Sequence, residues 1–135
     1  MLYAEIKALS NDSTYRRISL SSSTTSSVVT LDYKNEDDSI RAFISSDGTN
    51  GLYLNATGVD VLEFNQIALK YNSTSFSLWI NGEEKDSVTN TITLDSLDKI
   101  GFDSGGGTDI FYGNIKDLRV YTTALTDTEL TQLTS

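Results

Sequence analysis

The chain has 135 residues and a net charge of −9, from ten lysines and arginines against nineteen aspartates and glutamates, and it contains neither histidine nor cysteine. Without cysteine the fold rests on no disulfide or thiolate metal site. Without histidine, Ser-His-Asp and Cys-His catalysis and ordinary zinc sites are excluded. The acidic balance repels nucleic acid, and no run approaches the roughly 18 apolar residues of a membrane span, so neither is an expected partner.

This length suits one domain, residues 1–135, with a core that needs no staples. Ser and Thr dominate while Pro is absent, a bias that favours strands and exposed sheet faces over helix. The start, MLYAEIKALS, lacks the basic and apolar regions of a secretory signal, so the chain is expected to be non-secreted or cut from a longer protein.

Apolar residues two apart, the period of a strand with one buried face, recur along the chain. LYAEIKAL (Leu2 to Leu9) reads as a first strand and YRRISLSS (Tyr15 to Ser22) as a second, with Ile18 and Leu20 inward. SSVVTLDYK follows a Ser/Thr turn, and the polar NEDD break precedes SIRAFISS. DGTNG (Asp47 to Gly51) signals a hairpin, after which LYLNA resumes the alternation. EFNQIALKYN keeps Ile67, Leu69 and Tyr71 in phase, NSTS turns the chain, and FSLWI keeps Phe76, Leu78 and Ile80 in phase. Asn81-Gly82 closes a second hairpin, because both residues tolerate the positive φ of a type I′ turn. TITLDSLDKIGFD supplies one or two further strands, and GGG (Gly105 to Gly107) a flexible loop. About ten to twelve short strands imply two packed antiparallel sheets.

In IFYGNIKDLRVY, Ile115, Leu118 and Val120 form the core-facing set, with a break of phase near Lys116-Asp117 that suggests a bulge. TALTDTELTQL then reads as a short helix. Thr126 and Glu129 have capping-box spacing, and Leu125 and Leu130 are placed for a hydrophobic staple that pins the helix to the sandwich.

FNQIALKYNSTSFSLWINGEE, LDKIGFD and FYGNIKDLRVYTTALTDTELTQLT closely resemble the concanavalin A-like, laminin G-like jelly-roll domains common in bacteriophage tail and virion proteins and in bacterial surface proteins. With TYRRISLSSSTTSS and IRAFISSDG, the resemblance covers nearly the whole chain. It implies an all-β fold: a two-sheet antiparallel jelly-roll sandwich with a short C-terminal helix, often binding carbohydrate or protein, sometimes with calcium at the rim. It also implies a virion-surface or extracellular location. The same fold carries lectins, adhesins, spacers and glycanases, so the function has to be read from particular residues.

Glycoside hydrolysis needs two carboxylates roughly 5 to 10 Å apart, in the related glucanases an E-x-D-x-x-E or E-x-D-x-E array. This sequence has none; its acidic groups, Glu36, Asp37 and Asp38 and then Glu83 and Glu84, fall in segments read as turns. An enzyme is therefore not expected. Sugar binding needs an aromatic face and a few polar groups. Trp79 is out of phase with Phe76, Leu78 and Ile80 and is expected to face away from their side, as a stacking anchor, packed in a second layer or at a subunit contact. Tyr33 and Tyr53 carry the same readings. Arg41 and Arg16 can grip acidic sugars or pair with a nearby carboxylate. Asp47 in SDGTN, and Asp103 with Asp109 around SGGGT, have calcium-binding chemistry without the spacing of a defined loop motif. No cofactor is required, and calcium stays open.

Two functions follow. The first is a carbohydrate or host-surface glycan recognition module on a phage tail fibre or other virion surface protein, where many copies strengthen weak contacts. The second is a structural virion component, a capsid decoration or head-fibre domain that contacts other virion proteins and assembles as an oligomer.

Overall fold

The computed structural model describes residues 1–24 and 26–135. The Ser/Thr turn expected before the third strand includes Thr25, which lies outside them. The strands are β1 (Leu2–Ala8), β2 (Arg16–Ser21), β3 (Val28–Tyr33), β4 (Ser39–Ser45), β5 (Gly51–Thr57), β6 (Asn65–Tyr71), β7 (Ser75–Ile80), β8 (Glu83–Thr89), β9 (Lys99–Gly101) and β10 (Gly113–Val120), followed by helix α1 (Asp127–Leu133). They form two antiparallel five-stranded sheets, a back sheet ordered β10-β1-β6-β7-β8 and a front sheet ordered β5-β4-β3-β2-β9.

Alternation sorts the side chains as the period of a strand requires. Ile18, Leu20, Val29, Leu31, Ile40, Ala42, Ile44, Leu54 and Ala56 of the front sheet meet Leu2, Ala4, Ile6, Ile67, Leu69, Phe76, Leu78 and Ile80 of the back sheet in one core. Each large side chain buried there contributes about 1.5–3 kcal/mol before the entropy of ordering it is subtracted. On the β5/β8 side the sheets are joined where Asn55 donates its backbone N–H to Asp86 Oδ2 at 2.9 Å. The tight turn between β7 and β8 is Asn81-Gly82, both at positive φ (52° and 88°).

Three readings are corrected. Glu83 and Glu84 begin strand β8 rather than sitting in a turn, because the hairpin uses only Asn81 and Gly82. TITLDSLDKIGFD yields one short strand, β9; the residues before it run irregularly, with Ile92, Leu94 and Leu97 packed on the core. Ile115 and Val120 face inward as expected, since they pair with Ile6 and Leu2, yet both are exposed. They stand on an edge strand, and β9, at the corresponding edge of the front sheet, is only three residues long.

The bulge falls at the expected phase break. Asp117 pairs with Glu5 and Ile115 with Ile6, leaving Lys116 extra, and its ammonium reaches Glu5 at 2.7 Å. The capping box is also present: Glu129 N–H donates to Thr126 Oγ1 at 3.3 Å, and Thr126 N–H donates to Glu129 Oε2 at 2.7 Å. Leu125 and Leu130 join Met1, Tyr3, Ala68 and Trp79 in a second apolar cluster, so the helix lies on the outer face of the back sheet.

Candidate functional site

The helix covers the outer face of the back sheet, whereas on the front sheet the loop after β9 and the β4–β5 turn leave a cleft beside Arg17. On the outer face of the front sheet the residues out of phase with the core include Arg17 on β2, Thr30 and Asp32 on β3, Arg41 and Phe43 on β4, and Tyr53 on β5. Cross-strand register sets Arg17 opposite Asp32, Asp32 opposite Arg41, and Phe43 opposite Tyr53.

Asp32 is the fixed centre of this face. Its Oδ2 accepts from Arg41 Nε at 2.8 Å and lies 2.6 Å from Arg41 Nη2, while Thr30 donates its hydroxyl to Oδ1 at 2.6 Å. Burial pushes the Asp32 carboxyl above its ordinary range, and the Arg41 charge and the Thr30 hydroxyl pull it back. The Arg41 guanidinium also lies 5.0 Å from the Tyr15 ring centroid and 4.7 Å from that of Tyr53, which itself rests against Phe43 at 4.8 Å. Charge, hydrogen bonds and ring faces therefore hold Arg41 in one position.

Arg17 is held far less. Its guanidinium lies 5.1 Å from the other partner ring, Tyr15, and its Nε is 3.9 Å from Asp32 Oδ2 and 3.3 Å from Asp109 Oδ2. Neither carboxylate is aligned with it, and the buried Nε has no hydrogen-bond partner. Among the described residues no side-chain hydrogen bond is donated by the Arg17 guanidinium.

Two loops frame a cleft of about 300 Å³ beside Arg17, lined also by Thr30, Phe43, Gly48, Ser104 and Thr108. The loop after β9 folds back over β2: Gly105, at φ 87°, sits where an added Cβ would lie 3.6 Å from Ser19 Oγ. Ser104 and Thr108 close the loop through the Ser104 N–H donated to the Thr108 carbonyl at 2.8 Å and a hydroxyl pair at 2.9 Å. The opposite wall is the β4–β5 turn at Gly48. Arginine donors, serine and threonine hydroxyls and a half-exposed tyrosine can together take a polar, oxygen-rich, anionic ligand.

The eight residues singled out from the sequence meet different fates. Tyr53 and Arg41 come together here, with Tyr53 50% exposed. Trp79 faces away from the core as expected, but it is 7% exposed beneath the helix and donates its indole N–H to Ser77 Oγ at 3.0 Å, so neither ring face is open to a sugar. Tyr33 is in phase with Val29 and Leu31 and lies in the core, 5% exposed and stacked on Phe111 at 6.0 Å. Burial raises its phenol pKa well above the ordinary value.

The three aspartates are not gathered around one point. Asp47 accepts from Ser45, Thr49 and Asn50 within its own turn, Asp103 accepts the Gly105 N–H at 2.7 Å, and Asp109 faces Arg17. Among the described residues no three acidic groups are placed to hold a metal together.

Arg17 was the residue missed, although the signal was present. If Ile18 and Leu20 face inward, Arg16 shares their phase and Arg17 points out. Arg16 is indeed buried, donating to the Ser10 carbonyl at 3.0 Å and to Asp12 at 2.8 Å.

A family model described as Laminin_G_3, concanavalin A-like lectin/glucanases superfamily, matches residues 2–131. The chain belongs to that superfamily. Among solved structures, Ruminococcus gnavus IT-sialidase CBM40 is similar at a TM-score of 0.77 and 19% identity, over 99% of this chain and 81% of that one. The same CBM40 bound to alpha2,3 sialyllactose gives the same values. A leech intramolecular trans-sialidase complexed with 2,7-anhydro-Neu5Ac follows at a TM-score of 0.75 and 21% identity, over 98% of this chain and 22% of that one. At these identities the likeness is one of fold. No curated protein matches the chain in sequence. For this member of the concanavalin A-like superfamily, the front-sheet face described above is the candidate site.

Proposed function

We propose that the chain is a non-catalytic carbohydrate-binding module that takes an acidic glycan, of the sialyllactose kind, on the outer face of its front sheet. The observation that carries this reading is Arg17: a guanidinium with unused donors, beside an aromatic ring and a hydroxyl-lined cleft. A carboxylate matches the planar fork of an arginine, and sugar hydroxyls match Ser104 and Thr108. The similar CBM40 solved with alpha2,3 and alpha2,6 sialyllactose supports this choice of ligand class. Asp32 supports binding over hydrolysis, because its side chain is fully buried and both oxygens are engaged, leaving no carboxylate at the centre of the face to activate water. We place the module on a virion or other extracellular surface, such as a phage tail fibre, where a small open site gains strength from repetition.

Isothermal titration with 3′-sialyllactose and with lactose tests the reading. Preference for the sialylated sugar, lost in Arg17→Ala with the circular dichroism spectrum unchanged, supports it. Equal affinity for both sugars, or full binding by the variant, removes it.

One observation favours a second reading, a structural virion component. Ile100, Phe102, Ile110 and Tyr112 are large, apolar and exposed, on two segments joined where the Phe111 N–H donates to the Phe102 carbonyl at 2.8 Å. A stable oligomer in sedimentation, dispersed by Phe102→Ser without loss of fold, would favour it.

A further inference from the structure

We propose that Asp109 sets the affinity and selectivity of the front-sheet site: its carboxylate stands against Arg17 in the free protein, where the carboxylate of an acidic sugar binds, and it swings away when such a ligand enters. The choice of ligand rests on the glycan reading above; the internal competition rests on the geometry around Arg17.

Arg17 has two carboxylate neighbours, and only one can yield. Asp32 is buried and held by Arg41 and Thr30. The Asp109 side chain is 33% exposed and, among the described residues, makes no hydrogen bond; its one ionic partner is Arg17 Nε at 3.3 Å. The backbone beneath it is anchored, since the Arg17 N–H donates to the Asp109 carbonyl at 3.0 Å. The side chain can therefore turn outward without moving the loop. The contact it gives up is a poor one, because Arg17 Nε is left without an aligned acceptor. A buried N–H in that condition favours any acceptor that aligns better.

Charge points the same way. Arg17 and Arg41 are matched on this face by Asp32 and Asp109, in a chain whose net charge is −9. An anion arriving with Asp109 in place meets no surplus positive charge. A simple anion exchanges one carboxylate for another and gains little. An acidic sugar brings hydroxyls for Ser104 and Thr108 together with its carboxylate, so the exchange favours it over small free anions.

Asn at position 109 keeps the left-handed backbone found there, φ 52°, because Asn tolerates that region as Asp does. Asp109→Asn therefore removes the charge and leaves the loop. Titration calorimetry is expected to give Asp109→Asn about fivefold tighter binding of 3′-sialyllactose, the scale of one partly exposed ion pair, with lactose unchanged. The gain disappears when Arg17 is also replaced by Ala. Unchanged or weaker sialyllactose binding by Asp109→Asn overturns the proposal, since it makes Asp109 a spectator or a direct acceptor for the sugar.

A second probe separates this proposal from the glycan reading. Acetate is titrated while the Arg17 Nε–H resonance is followed by nitrogen-15 NMR. If no form binds sialyllactose but the Asp109→Asn resonance responds at several-fold lower acetate than the wild type, the competition stands and the glycan reading falls. If both respond at the same concentration, the competition is wrong.

Discussion

Trp79 and Tyr53 occupy equivalent positions on opposite sheets: each is an aromatic residue out of phase with the core residues of its strand. Trp79 lies under Leu130 of the helix, in a dry cluster with Met1, Tyr3 and Ala68. Tyr53 is half exposed, against Phe43 and Arg41. The period of a strand settles which face a residue takes; what later covers that face decides whether the residue is structural or free to bind. Here the cover for one face arrives from the chain's last turn, with Thr126 and Glu129 fixing where it begins.

The largest effect is expected at Trp79. Trp79→Ala removes a large buried side chain between sheet and helix, and a loss of about 3–5 kcal/mol in urea unfolding is expected. Glycan affinity, measured where the variant is still folded, is expected to stay within a factor of two of the wild type. A stable variant that fails to bind would reverse the roles of the two faces.

Arg17→Ala should do the opposite. Unfolding free energy is expected to change by less than about 1 kcal/mol, because the side chain makes no aligned hydrogen bond. Affinity for a sialylated glycan is expected to fall by at least about tenfold, the loss of a hydrogen-bonded charge pair. Arg41→Ala is not a clean substitute. It leaves the buried Asp32 carboxylate without its principal counter-charge, so it should lower stability and binding together.

Smaller still is the effect of the cap. Thr126→Ala removes the acceptor for the Glu129 N–H and the hydroxyl that donates to Glu129 Oε2 at 2.8 Å, with about 1 kcal/mol expected in unfolding. Its signature would be local: tryptophan emission should move to longer wavelength as the helix frays over Trp79, with binding on the front face unaffected.

Alternation made the strands and the bulge near Lys116 legible in the sequence, turn chemistry the Asn81-Gly82 hairpin, and Thr-x-x-Glu spacing the capping box, because each depends on neighbours within a few residues. β8 was missed because Glu83 to Asp86 carry charge where a half-buried strand would carry apolar residues; as an edge strand it tolerates them. The candidate site was only half legible. Arg41 and Tyr53 were named for their side-chain chemistry, and the strand period, applied to β2 and β3 as well as β7, would have moved Tyr33 into the core and Arg17 to the surface. The burial of Trp79 depends on a helix some fifty residues later, and the pairing of Arg17 with Asp109 on a loop ninety residues away, so neither could be read locally.

The two loops of the cleft each offer an aspartate, and they hold it differently. Among the described residues Asp109 leaves its carboxylate without a hydrogen bond, whereas Asp47 accepts from the Asn50 side chain at 3.0 Å, from the Thr49 and Asn50 backbone N–H groups at 2.8 and 2.7 Å, and from Ser45 at 3.0 Å. These bonds, the Asn50 side chain first, hold the Asp47 carboxyl well below the usual carboxylate range. A carboxyl depressed in the folded state adds stability that is fully present above its unfolded value, about 3.9, and is lost as the pH falls through the folded value. Carbon-13 NMR of the carboxyl groups should therefore find Asp47 still ionised at about pH 3, where an unperturbed aspartate is mostly protonated. Calcium should leave its resonance unmoved, because three hydrogen bonds already occupy Oδ1 and the Asn50 amide occupies Oδ2. A normal titration at Asp47, or a shift on adding calcium, would mean that this turn is as open as the loop at Asp109 and that both walls of the cleft can rearrange around a ligand.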